Sequence, residues 1–290
     1  MPVSSALRHT VSRRQAMGLA ALLWGASAWS QEPSAMEKIK ARGTLKVAVY
    51  KDNGPYSDGP ANDLHGLDIT LAQALARQLN LKLSLLPFDA GENMNDDLRN
   101  MVWKGHYLGY GPADVMMHVP VDRYLMGENK QTLIFGAYVR EHLVVLHDPS
   151  KIASVYNPED LVGKTLSAEQ GSGAASALMG YRGGLLRTQV SIFKDGIEAA
   201  KRVLSGQMDA AFVSRAQAEA AIFAAGEKNK WALSSLTLPG VMPNGWPLGM
   251  AVKADNTALA TALDQALGAL RENGELTKIF QAHGLTLAAP

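Results

Sequence analysis

The sequence predicts an α/β protein built from two strand-helix units in series, on three observations. Thr44 to Val49 alternates as a strand does, a helical period follows from Gly66, and Leu81 to Phe88 reads as a second strand. The same alternation starts afresh beyond Asn157. With 290 residues, 47% of them hydrophobic, the chain can fill one large core or two medium ones.

The N-terminus precedes this alternation. Arg8, Arg13 and Arg14 stand before an apolar run from Ala16 to Ala28 that ends in Ala-Ser-Ala, the pattern of a cleaved secretory leader over residues 1–28. Ser12-Arg13-Arg14 leaves two export routes open, twin-arginine and general secretion, and both end in the periplasm. Removing residues 1–28 leaves 25 basic against 27 acidic residues, a formal charge of −2. So nearly neutral a chain offers nucleic acid no electrostatic attraction. The mature sequence contains no run that would span a bilayer. Cysteine is absent, which excludes disulfides, thiolate nucleophiles and iron-sulfur ligation, and no cofactor is expected.

In chain order, the first strand leads into a long Gly, Pro, Asn and Asp-rich loop from Tyr50 to His65, where open α/β sheets keep their ligands. Tyr56 in this loop is a candidate cleft residue, as is Asp68 at the opening of the helix that follows. That helix places Ile69, Ala72, Leu75, Ala76 and Leu79 on one face, and with the strand after it implies a parallel, right-handed βαβ unit.

The stretch Asn93 to Arg123 organises the rest. Asn93 or Asn95 caps a helix, Asp96 and Asp97 sit in its favoured first turn, and Gly105 ends it. His106 to Pro112 is a loop, Asp114 to Val119 a strand, and Arg123 follows at a turn. This order resembles periplasmic solute-binding proteins of the polar amino acid type. In them an arginine at this place meets a ligand carboxylate, and such a pair is worth roughly 1.5–3 kcal/mol. The family places its aspartate within about two residues of the helix-ending glycine, whereas here eight residues, His106 to Ala113, intervene. That longer form, together with Tyr181 to Gln189, resembles the solute-binding-like accessory proteins found with PQQ-dependent methanol and alcohol dehydrogenases, the MxaJ and XoxJ type.

The resemblance implies a two-lobed type II periplasmic binding protein fold with a double hinge crossing. Lobe 1 would span 44–138 plus 248–290 and lobe 2 139–247. The chain would cross near Tyr138, with Glu141 to His147 opening lobe 2, and return through Pro239 to Pro247. Strands are expected at Lys164 to Ala168, Gln189 to Phe193 and Asp209 to Val213. Helices are expected after Gly173, after Asp195, at Arg215 to Ala225, at Thr257 to Glu272 and at Glu275 to Ala282.

Each candidate site has a bland alternative. Arg123 is either a carboxylate clamp or a surface arginine paired with Asp122 or Glu128. Ser214 stands where the amino acid binders usually carry an aspartate for the ligand ammonium, which argues against ordinary α-amino acids unless another carboxylate substitutes. Ser172, within Gly171-Ser172-Gly173, is either part of an anion cradle at a helix start or a plain cap. The acids Asp89, Glu92, Asp96 and Asp97 lack the spacing of a calcium loop, and no histidine pair has metal-ligand spacing. Trp103, His106, Tyr107 and Tyr110 either form a partner-docking surface or fold back to fill the cleft or pack the lobe.

The resemblance therefore implies a non-enzymatic accessory protein acting by interaction with a PQQ-dependent dehydrogenase, in its maturation or activation. The alternative is the substrate-binding receptor of an ABC transporter for a small carboxylate. A dehydratase-like enzyme ranks last; it needs an acid of raised pKa in the cleft, for which Asp68 and Glu169 are loosely placed.

Overall fold

The structure, a computed structural model, describes residue 1 and residues 33–226 and 229–290. Apart from Met1, the expected leader lies outside the described residues. Ten strands form two five-stranded sheets among the described residues. The first has the order β2-β1-β3-β10-β4. Its strands are β1 (Thr44–Tyr50), β2 (Lys82–Phe88), β3 (Val115–Pro120), β4 (Thr132–Glu141) and β10 (Trp246–Lys253). The second has the order β7-β6-β8-β5-β9. It comprises β5 (Leu143–His147), β6 (Leu166–Glu169), β7 (Val190–Phe193), β8 (Ala210–Ser214) and β9 (Ala232–Ser234).

In each sheet three adjacent strands are parallel, β1 with β2 and β3, and β6 with β7 and β8. The strand that enters from the other lobe runs antiparallel to them, β10 in the first sheet and β5 in the second. The chain passes between sheets at His142, where β4 ends and β5 begins, and returns at Gly245, where β10 begins. The two crossings touch: Trp246 pairs with Glu141, and a Cβ on Gly245 would lie 1.9 Å from the Glu141 carbonyl oxygen. Glycine is required there, because this close approach excludes a side chain and the φ of +64° favours glycine besides. Glu141, expected to open the second lobe, instead ends the long β4, because the returning β10 pairs with it as far as Trp246.

Helices cover the sheets. In the first lobe these are α1 (Ala35–Arg42), α2 (Leu67–Gln78), α3 (Met94–Leu98), α4 (Arg123–Glu128), α8 (Thr257–Glu272) and α9 (Glu275–Ala282). α2 buries Leu67, Leu71 and Leu75 against Val47, Leu263 and Leu267 in one core. A second core under β3 joins Phe88, Leu98, Met101 and Met116. The second lobe carries α5 (Gly173–Gly180), α6 (Gly196–Leu204) and α7 (Arg215–Ala225), packed through Ala174, Ala199, Val203 and Ala218. α1 and α4 were not expected. The α1 sequence buries only Ile39, and α4 buries no residue, so neither advertises an apolar face. α3 continues as a π turn from Arg99 to Trp103.

Candidate functional site

Between the two sheets lies a cavity of about 360 Å3, within the range of small-solute sites, roughly 300–1,000 Å3. The first lobe contributes Asn53 and Tyr56 from the loop after β1, His118 from β3, Glu141 from the end of β4 and Trp246 from the start of β10. The second contributes Glu169 and Ser172 from the β6-α5 turn, Ser214 and Gln217 from the start of α7, and the 240–242 loop. The parallel strands β1, β6 and β8 thus end at the cavity, where α/β sheets present ligands.

His118 reaches the cavity because β3 is irregular. The ladder with β10 pairs Val119 with Gly249 and Met116 with Ala251, so two residues, Met117 and His118, face one. His118 has φ +63°, unusual outside glycine, and a bulge of this kind re-aims a side chain. Its Nδ1 lies 3.1 Å from Asp68 Oδ2, while Asp68 Oδ1 accepts from the Tyr138 hydroxyl at 2.7 Å. Asp68 is 1% exposed, so it holds the imidazole from beneath and does not line the cavity.

Tyr56 packs its ring 4.3 Å from His118 and donates its hydroxyl to Glu141 Oε2 at 2.5 Å. Glu141 Oε1 accepts from the His142 amide at 3.0 Å. Burial pushes the Glu141 carboxyl above the ordinary carboxylate range, and the Tyr56 hydroxyl and His142 amide oppose that rise. Burial also raises Glu169, partly offset by the Gln217 amide, which donates to Glu169 Oε2 at 2.8 Å.

Gln217 is held by a capping box. Ser214 Oγ accepts from the Gln217 amide at 3.2 Å, and Gln217 Oε1 accepts from the Ser214 amide at 3.1 Å. Ser172 is also a cap: its hydroxyl donates to the Glu169 carbonyl at 2.8 Å and accepts from Ala175 N at 3.1 Å. Both serines therefore line the cavity with hydroxyls already engaged by helix starts.

Of the cleft candidates, Tyr56, Ser172 and Ser214 come together around the cavity, Asp68 lies behind His118, and Arg123 is elsewhere. Arg123 is exposed at the first position of α4, whose cap is Asp122 Oδ1, bonded to Leu125 N at 2.9 Å. That cap turns the chain away at the end of β3, and His118, four residues into the same strand, takes the inward place. Among the described residues no Lys or Arg lines the cavity.

The inserted loop does not plug it. Trp103 and Tyr110 pack against the core under β3, and His106 stacks 4.3 Å from Tyr110, leaving Tyr107 87% and Leu108 67% exposed. Sequence reasoning missed His118, Glu141, Gln217 and Trp246. Only Gln217 had a local signal, the S-x-x-Q pattern from Ser214. Among the described residues no group of three or more His, Asp or Glu could hold a metal ion, and no helix is long and apolar enough to cross a membrane.

No protein-family model and no curated protein matches the chain. Solved structures do. An ancestral cationic amino acid solute-binding protein is 21% identical, with TM-score 0.64, over 86% of this chain and 99% of that one. A polar amino acid ABC uptake transporter substrate-binding protein from Streptococcus thermophilus is 18% identical, with TM-score 0.66, over 91% and 95%. A Streptococcus pneumoniae ABC uptake transporter substrate-binding protein with bound histidine is 16% identical, with TM-score 0.59, over 90% and 100%. With the two sheets, the paired crossings and the cavity between them, this likeness establishes the two-lobed type II periplasmic binding protein fold.

Proposed function

We propose that this chain is a substrate-binding receptor, which captures a small solute outside the cytoplasmic membrane and presents it to a membrane transporter. The observation that carries this reading is the cavity of about 360 Å3 walled by both lobes beside two adjoining crossings. Bending at Glu141–His142 and at Gly245 would open and close that space as a hinge. Neighbours described as transporter substrate-binding proteins, one holding histidine, support binding over catalysis. On this reading residues 1–28 direct export to the periplasm, and 44–138 plus 248–290 close against 139–247 without a cofactor.

The test is thermal unfolding of the purified protein against amino acids, organic acids, amines and sugars. A solute at a hundred times its Kd stabilises by about 2.7 kcal/mol, which raises Tm by roughly 5–10 °C in a domain of this size. No shift from any class refutes the receptor reading.

A second reading rests on the exposed loop tip at Tyr107 and Leu108. It is the accessory role, in which this tip docks on a PQQ-dependent dehydrogenase. Retention of a quinoprotein dehydrogenase from periplasmic extract, lost in Tyr107→Ala, supports it. Equal retention by the variant, or none by the native chain, removes it.

A further inference from the structure

The cavity's charges are one-sided. Among the described residues Glu141 and Glu169 both line it and no Lys or Arg does; the His118 and His142 imidazoles stand near Glu141, whereas Glu169 has no basic group beside it. Buried carboxylates without a cationic partner are costly, and a positively charged ligand is what relieves them. The two differ in what they have left to offer. Both oxygens of Glu141 are engaged, Oε2 by the Tyr56 hydroxyl and Oε1 by the His142 amide. Glu169 has only Oε2 engaged, by Gln217, and among the described residues no donor reaches Oε1.

The remaining walls suit an organic cation more than a metal ion or a sugar. Tyr56, His118 and Trp246 supply aromatic surface, and Leu143, Val213 and Met242 supply aliphatic surface. Aromatic faces attract cations through their quadrupole and cover apolar carbon at the same time. Asn53 at the same wall buries its Nδ2 without a hydrogen-bond partner, so a hydroxyl or carbonyl on the solute would complete it. What an α-amino acid additionally needs, a cationic clamp for its carboxylate, is missing from the lining, since Arg123 stands outside.

Resting on the receptor reading, we propose that the cavity selects a small organic amine with an apolar body, its ammonium held by Glu169 Oε1 and its carbon skeleton by the walls around Tyr56 and Trp246. Among the described lining residues a ligand carboxylate meets no Lys or Arg, so the ammonium and not a carboxylate sets the affinity.

Three probes share one branched skeleton and isolate the charge: 3-methylbutylamine, 3-methylbutanoate and leucine. Titration calorimetry on the purified protein near neutral pH is expected to show binding of the amine and none of 3-methylbutanoate. Glu169→Gln is expected to weaken the amine at least ten-fold. Should that variant fail to fold, Ser214→Asp serves instead. Aspartate caps α7 as well as serine does and adds a carboxylate to the same wall, so amine affinity is expected to rise several-fold.

Binding of 3-methylbutanoate or leucine in preference to the amine would overturn the proposal while leaving the receptor reading in place. So would amine affinity unchanged in Glu169→Gln, or in Ser214→Asp. Absence of binding by amines, acids, amino acids and sugars alike would remove the receptor reading itself, and the proposal with it.

Discussion

Removing one hydroxyl, in Tyr56→Phe, tests whether the buried acid at the crossing is organised as described. The ring is 4% exposed and packs 4.3 Å from His118, and phenylalanine keeps that packing. What is lost is the 2.5 Å hydrogen bond to Glu141 Oε2, leaving a carboxyl that is itself 4% exposed with only the His142 amide. Hydrogen bonds to charged groups are worth about 1.5–3 kcal/mol. A loss of ~2 kcal/mol lowers Tm by about 4–8 °C, at the 2–4 °C per kcal/mol of large domains. The pH dependence sharpens the expectation. Burial raises the Glu141 carboxyl, so this group's stability is full below its ordinary 4.5 and is lost as pH rises through the higher folded value. The Tyr56 hydroxyl bonds the charged form and restrains that rise. Without it the carboxyl moves higher still, so the Tyr56→Phe deficit should grow as pH rises from the ordinary 4.5 through the raised folded value. Calorimetric unfolding across that range is the assay. A Tm within about 1 °C of the native protein at neutral pH, or a deficit largest at acid pH, would refute the reasoning.

Gly196→Ala places a Cβ 2.0 Å from Gln217 Oε1, so the Gln217 side chain must swing away from Ser214 N and Glu169; about 1–2 kcal/mol of stability and several-fold ligand affinity are expected to go, measured by unfolding and titration. Asp209→Ala releases Thr165, whose amide and hydroxyl both donate to Asp209 Oδ2, at 2.8 and 2.9 Å. The Thr165 amide and hydroxyl depress the Asp209 carboxyl, so its contribution, on the order of 1 kcal/mol, is present above its ordinary 3.8 and lost as pH falls through the depressed value. The variant's deficit in denaturant unfolding should therefore be visible at neutral pH and vanish toward acid. Arg123→Ala, at an exposed helix start, should change stability by no more than about 0.5 kcal/mol and leave solute affinity unaltered, by the same titration.

Local pattern carried the element order. The helices at Arg215–Ala225, Thr257–Glu272 and Glu275–Ala282 have the limits their periodicity and flanking residues indicate. Ser172, Asp195 and Ser214 cap the helices they precede, because a cap needs only a hydroxyl or carboxylate and the next amides in the chain. Asp209, the first residue of the strand expected from Asp209 to Val213, ties the start of β8 to Thr165.

The lining of the cavity was decided by contacts between distant segments, which no local period records. His118 faces inward because β3 bulges against β10, more than a hundred residues away, and a strand's alternation of two cannot announce an extra residue. Glu141 lines the cavity because β10 returns to pair Trp246 beside it, and burial there raises its carboxyl against the Tyr56 hydrogen bond that holds it down. Arg123 sits three residues beyond β3, yet one Asp122 cap turns it to solvent. By itself the sequence determined the strands and the helices other than α1 and α4, since those depend on neighbours along the chain. Only the tertiary structure decided which acids meet across the cleft and which charge faces away, since those depend on register, bulge and burial.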